Sequence, residues 1–158
     1  GSLQWPCPTT DHPGTQFMHV GKFTRGLGLF QPSDHIPPGE MPDEDYPFLL
    51  STGRILQHYN VTTPYSMGIM SVWDKEMAEL NPADAEKMGI KTGDKLKVTS
   101  RRGEVVTAVR VTDRVMPGII WMSFHYSETP TNALTSHHLD PITGTGEYKV
   151  CAVKLEKI

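Results

Sequence analysis

The chain has 158 residues, a formal net charge of -3 and two cysteines. That length suffices for one domain with a fair core, and the mildly acidic balance argues against a nucleic-acid surface or a polybasic membrane patch. No apolar run approaches the ~20 residues a bilayer span needs, and Cys7 and Cys151 stand far apart, so reduced thiols in a cytoplasmic protein are expected.

The leading Gly1-Ser2 reads as a cloning scar on a piece excised from something larger and is set aside. Residues 3–45 carry most of the prolines and no helical or strand period; "PPGEMPDEDYP" closes them as an acidic connector. Yet Trp5, Phe17, Phe23, Leu27 and Phe30 are too many large apolar groups for a free linker, so residues 1–45 are expected to pack as an extended segment along a surface.

From Tyr46 to Ile158 the pattern is that of a β domain. Residues 46–52 form a buried strand stopped by Gly53, and 75–80 a short strand running into "NPADAEKMG". In that helix Asn81 is the N-cap, Pro82 takes the first helical position, Asp84 favours the positive N-terminal end, and Gly89 closes it. Residues 94–100 and 104–112 alternate with period two around "RRG", a hairpin. Residues 118–124 are continuously apolar, which predicts a strand buried on both faces, and 147–158 form the last strand. Two stretches, 88–98 and 112–122, share a turn, a Gly and a strand, the half-repeat of a barrel with internal twofold pseudo-symmetry.

The remaining segment, "TNALTSHHLDPITGTG" from Thr131 to Gly146, is polar and long. Loops of that length inside compact domains usually serve a function. With few apolar anchors beyond Leu139 and Ile142, the loop is expected to be poorly fixed without a ligand. His137-His138 invites a metal reading, but adjacent histidines seldom point the same way and no third ligand is suitably spaced, so no metal site is expected.

Taken together, "STGR" at 51–54, the run from Leu80 to Tyr126, and "TNALTSHHLDPITGTGEYKVCAVKL" resemble the molybdopterin-dinucleotide-binding C-terminal domain of the dimethyl-sulfoxide-reductase superfamily. "LQWPCP", "HPGT" and "FTRGLGLF" near the start resemble the segment leading into that domain in the formate dehydrogenase alpha subunit. The resemblance implies a mainly β fold with short helices, a six-stranded double-psi β-barrel over residues 46–158. It implies a domain that holds the nucleotide arms of molybdopterin guanine dinucleotide, while other domains supply the Mo or W ligand and the catalytic groups. The partners implied are the remaining domains of a catalytic subunit and electron-transfer subunits; a monomer, with no membrane insertion, is expected. A periplasmic parent enzyme is an alternative to a cytoplasmic one.

The candidate cofactor-binding residues follow, each with a plainer reading beside it. Gly53 lets backbone approach a ligand closely, Ser51 and Thr52 offer donors beside it, and Arg54 can fork onto a phosphate or pterin oxygen; the plain alternative is a Gly turn with an exposed Arg. His58, on a predicted helical turn, belongs to a stretch that faces the cofactor in the family, though a lone His is as often structural. His125 stands at a strand end, and Asn132 offers a donor and an acceptor to the dinucleotide. Tyr148 and Lys149, read as the start of the last strand, supply a flat ring and a point charge; an edge strand with alternating exposure fits them too. No catalytic residue and no metal ligand is assigned.

Three function classes remain open. The first is the cofactor-holding domain of a molybdenum or tungsten oxidoreductase, most like formate dehydrogenase and inactive as an isolated domain, with a nitrate reductase or formylmethanofuran dehydrogenase as relatives sharing the barrel. The second is a stand-alone double-psi barrel that binds peptides or partners. The third, a small barrel enzyme, has no Ser-His-Asp, paired-carboxylate or metal constellation at readable spacing.

Overall fold

The computed structural model describes residues 4–23 and 25–158. Gly1-Ser2, read above as a scar, lie outside the described residues. The chain divides into two compact units, residues 1–36 and 37–158. Within the first, the described residues form no regular strand or helix. Thr15 ties back to the chain start through N–H to Gln4 O at 2.9 Å and Oγ1–H to Pro6 O at 2.5 Å, and Phe23 bridges Gly26.

The second unit is a closed six-stranded barrel, ordered β1-β5-β2-β4-β3-β6. Its strands are β1 (Phe48–Gly53), β2 (Met77–Leu80), β3 (Lys95–Thr99), β4 (Glu104–Val111), β5 (Ile119–Ser123) and β6 (Cys151–Lys157). β1 runs parallel to β5 and β2 parallel to β4; the other four neighbours are antiparallel. Advancing each strand by three in chain order maps this pairing onto itself: β1/β5 becomes β4/β2, and β1/β6 becomes β4/β3. That interlocked pseudo-twofold is the double-psi arrangement. It equates β2 with β5 and β3 with β6, so the half-repeat seen in sequence, which sets the entry to β3 against the entry to β5, is not the symmetry of the fold.

The core is filled by alternate residues of all six strands, as period two requires. Leu50, Leu80, Leu96, Val109, Ile120 and Val153 are wholly buried. β5 obeys the same alternation: Ile120 and Met122 face the core, while Ile119 and Trp121 are only half-buried. The expectation of burial on both faces is therefore corrected, because a closed small barrel offers one packed face per strand.

The predicted helix is α2 (Pro82–Met88), preceded by the short α1 (Met67–Met70). Asn81 Oδ1 accepts from Ala83 N–H at 2.9 Å, and Gly89 ends the helix at φ 63°. Asn81 and Asp84 also reach beyond the helix. Asn81 Nδ2 donates to Val115 O at 2.7 Å, and buried Asp84 accepts from Gly118 N–H at 2.6 Å, so the helix start fixes the turn that feeds β5.

The polar loop has more internal order than its composition implies. Asp140 Oδ1 accepts from Ile142 N, Thr143 N and Thr143 Oγ1, while Leu139 bridges Gly146 and Glu147 N–H reaches His138 O at 3.0 Å. An Asp-centred turn thus closes it as a narrow hairpin. β6 begins only at Cys151, and Tyr148-Lys149 form a turn ahead of it rather than its first residues. Among the described residues no helix is long and apolar enough to cross a membrane.

Candidate functional site

The end of β1 is cross-tied to the turn before β6. Thr52 Oγ1 donates to Tyr148 O at 2.6 Å, and Lys149 Nζ donates to Thr52 O. Two chain segments almost a hundred residues apart therefore form one edge. Gly53 packs closely against the neighbouring strand. A Cβ there would stand 2.7 Å from Trp121 Nε1, so the missing side chain makes room for the indole ring of β5. Ser51, half-buried in β1, pairs in register with Trp121 and lines neither of the clefts described below.

Past β1 the chain turns at Asn60, whose φ of 49° is a left-handed value that Asn tolerates. Arg54 Nε donates to Asn60 Oδ1 at 3.0 Å, and its guanidinium carbon lies 5.5 Å from the Phe124 ring centroid. The same turn fixes His125. Ile55 N–H donates to its Nε2 at 3.1 Å, which leaves Nδ1 to donate to Asn60 O at 2.5 Å. Burial holds this imidazole's pKa below its ordinary value, with His58 and Arg54 adding to the effect and the Asn60 carbonyl opposing it.

His58 is equally committed. Its Nε2 lies 2.8 Å from Trp73 O, which can only accept, so Nδ1, 2.9 Å from Thr63 Oγ1, accepts that hydroxyl's proton. The Thr63 oxygen in turn accepts from Tyr59 N–H at 2.8 Å. Both histidines therefore satisfy their nitrogens within the protein. They shape the wall after β1, and neither has a nitrogen to offer a ligand without losing a buried hydrogen bond.

Behind them lies a polar layer that the sequence reading passed over. Glu76 is buried and accepts from Ser123 N–H at 2.8 Å and from Ser123 Oγ. Burial raises its pKa, the nearby Glu79 adds to that, and the Ser123 bonds oppose it. Tyr126 donates to Trp73 O at 3.1 Å, and burial pushes its pKa up to about 12. Glu76 escaped notice because "KEMAEL" reads only as a strand with a charged start; nothing in its spacing marks a carboxylate that clamps β5.

Two clefts flank Arg54. One, of ≈ 390 Å³, is lined by Arg54, Phe124, Asn132, Thr135 and Tyr148. It gathers three of the nine candidate residues, with Thr52 and Lys149 bracing its edge. Asn132 is exposed there on a 3-10 turn, Thr131–Ala133, whose end is capped by Thr135 Oγ1 donating to Asn132 O at 2.9 Å. The other, of ≈ 610 Å³, is walled by Trp73 and Trp121 and rimmed by Arg54, Arg110 and Arg114. Its positive charge is partly spent. Buried Glu79 accepts from Arg114 at 3.0 Å, and the Arg110 guanidinium lies 4.3 Å from the Trp73 ring centroid. No sequence motif pointed to this second cleft, since Arg110 and Trp121 stand on two strands brought together only by the barrel.

Comparison with known proteins bears on what these clefts hold. Residues 48–152 match the family described as "Molydopterin dinucleotide binding domain". The chain is 48% identical over 160 residues to F420-dependent formate dehydrogenase 2 subunit alpha of Methanococcus maripaludis, covering 99% of this chain and 24% of that protein. It is 40% identical over 177 residues to a nitrate reductase of Symbiobacterium thermophilum, covering 98% of this chain and 23% of that protein. Among solved structures it is similar in fold to acetylene hydratase from Pelobacter acetylenicus, with a TM-score of 0.65 and 17% identity over 73% of this chain and 19% of that one. The chain thus spans about a quarter of the length of these curated relatives.

Proposed function

The chain belongs to the Molydopterin dinucleotide binding domain family, and from that footing we propose that the cleft between Arg54 and Tyr148 holds the guanine nucleotide arm of a molybdopterin guanine dinucleotide. The observation that carries this reading is the convergence, in one cleft of ≈ 390 Å³, of a guanidinium, an amide, a hydroxyl and two aromatic rings from three separated chain segments. That volume lies within the range of ligand sites, about 300–1,000 Å³. The donor set suits the group: Arg54 is a fork for diphosphate oxygens, Asn132 and Thr135 can meet polar purine or ribose atoms, and Phe124 and Tyr148 are flat surfaces for a base. Lys149, anchored on Thr52 O, adds positive charge at the same edge.

When bound, the cofactor supplies the Mo or W that exchanges electrons with the substrate. This chain's share is to bind and orient the nucleotide arm and to keep the 54–60 turn rigid beside it. His58 and His125 serve that rigidity, not contact. The substrate proposed for the parent enzyme is formate, oxidised to CO2, and a formate dehydrogenase subunit among relatives at 48% identity supports that choice over nitrate. The remaining domains of a catalytic subunit and its electron-transfer subunits are the proposed partners, and a catalytic role is proposed for the assembled subunit alone.

Calorimetric titration with guanosine diphosphate, guanosine monophosphate and adenosine diphosphate tests this. The reading expects weak binding, with the guanosine diphosphate ahead of both others and its lead over the monophosphate shrinking with salt. Equal affinity for all three, or formate oxidation by the chain alone above a heat-killed control, contradicts it.

A further inference from the structure

The acidic segment before the barrel, read from sequence as a connector, meets the back of the nucleotide cleft. Its Glu40 has a side chain only 9% exposed. Both carboxylate oxygens face Arg102, at 2.5 and 2.9 Å, and Oε1 also accepts from Ala152 N–H at 2.7 Å. Arg102, in the turn between β3 and β4, uses Nε and Nη2 to donate to Leu134 O at 3.2 and 2.8 Å. Leu134 ends the turn that carries Asn132 and leads into Thr135. One residue before Glu40, Gly39 N–H donates to Glu147 Oε2 at 2.9 Å, beside Tyr148. Two close approaches fit the same design. A Cβ on Gly39 would stand 2.5 Å from His138 Cγ, and one on Gly103 3.1 Å from Ala133 O.

Asn132 and Thr135 form one wall of the cleft and Tyr148 the other. Each wall is gripped from behind by this segment, the first through Arg102 and the second through Ala152 and Glu147. We propose that Glu40 is a positioning residue for the nucleotide cleft, a single buried carboxylate that sets the separation of the Asn132 and Tyr148 walls. It touches no ligand and acts through Arg102 and the Ala152 N–H, while the neighbouring Gly39 N–H holds Glu147. The proposal rests on the dinucleotide reading for its functional meaning, though the mechanical link stands on the hydrogen bonds alone. The barrel strands are paired independently of Glu40 apart from the N–H of Ala152, so its loss falls on the walls.

The test is amide hydrogen exchange on the 158-residue chain as wild type, E40Q and E40D, with guanosine diphosphate affinity measured alongside. E40Q weakens two charge-assisted bonds and leaves Arg102 without its counter-charge. Exchange at residues 132–136 and 147–150 is expected to rise about tenfold or more, while amides of the β1/β5 pair hold. Affinity is expected to fall several-fold, and E40D, which keeps the charge on a shorter arm, to recover part of both. If E40Q does not fold, R102K, which keeps charge but loses the fork, reads the same amides. Exchange rising uniformly through the barrel, or unchanged at the two walls, overturns the inference. The expected exchange pattern in E40Q, together with a wild-type chain that binds no guanosine diphosphate, overturns the dinucleotide reading and leaves the positioning link intact.

Discussion

Replacing Gly53 by Ala adds one methyl group at the point where β1 meets the Trp121 ring. The new Cβ would lie 2.7 Å from Nε1, 2.9 Å from Cζ2 and 3.0 Å from Cε2. Ordinary contact is about 3.5–4.0 Å, so the ring or the strand must yield by roughly 0.5–1 Å. The strand is poorly placed to yield: Gly53 pairs with Ser123 on the strand that carries Trp121, and Thr52 is tied to Tyr148. The indole therefore swings, and overpacking of this kind costs about 1–3 kcal/mol. With a urea slope of about 2 kcal/mol per M, the unfolding midpoint falls by roughly 0.5–1.5 M. Urea titration followed by tryptophan emission reads both consequences, with W121F identifying the ring that moved. A midpoint within about 0.2 M of wild type and unchanged emission would refute the close-packing argument.

Other outcomes follow from the same geometry. Glu76, whose folded pKa lies above its ordinary 4.5, holds more protons in the native state over that interval, so its contribution to stability is lost as pH rises through the folded pKa. E76Q should flatten that slope in pH-dependent unfolding; an unchanged slope counts against the buried clamp. Glu40 has the opposite sign: burial works against its carboxylate, yet Arg102, Ala152 N–H and Arg101 together lower its pKa, so its stability is present above the ordinary value and lost as pH falls through the folded one. E40Q should remove part of the acid limb of the stability curve. Asn81→Ala deletes both the helix cap and the bond to Val115 O, and should cost about 1–2 kcal/mol by urea denaturation, where N81S should cost less. Leu134→Ala empties a wholly buried position behind the cleft and should cost about 2–5 kcal/mol by the same assay.

Local chemistry carried much of the fold into the sequence. Asn81-Pro82 and Gly89 announced α2 because a cap, a fixed φ and a left-handed terminus are decided within a few residues. The β3–β4 hairpin was legible for the same reason. The start of β6 was missed because an apolar alternation resembles strand whether or not a partner lies alongside, and Tyr148-Lys149 are held in a turn by contacts to Thr52, far away in the chain. For the site, Arg54, Asn132 and Tyr148 were readable through the family resemblance, and the structure gathers them in one cleft. His58 and His125 looked like ligands because an isolated imidazole in a sequence shows no partners. Trp73 O, Thr63, Ile55 N and Asn60 O satisfy them only in three dimensions. Glu40 was hidden for the converse reason, since an acidic, proline-bearing stretch has the composition of solvated linker and its partner Arg102 is 62 residues away.

The central claim is the location of the nucleotide arm, and backbone chemical-shift mapping on the 158-residue chain during titration with guanosine diphosphate tests it most directly. The account predicts saturable shifts concentrated at Arg54, Asn132 to Thr135, and Tyr148 to Lys149, with the core strands quiet. Shifts centred instead on Trp73, Arg110 and Arg114, or none at millimolar ligand, would contradict it.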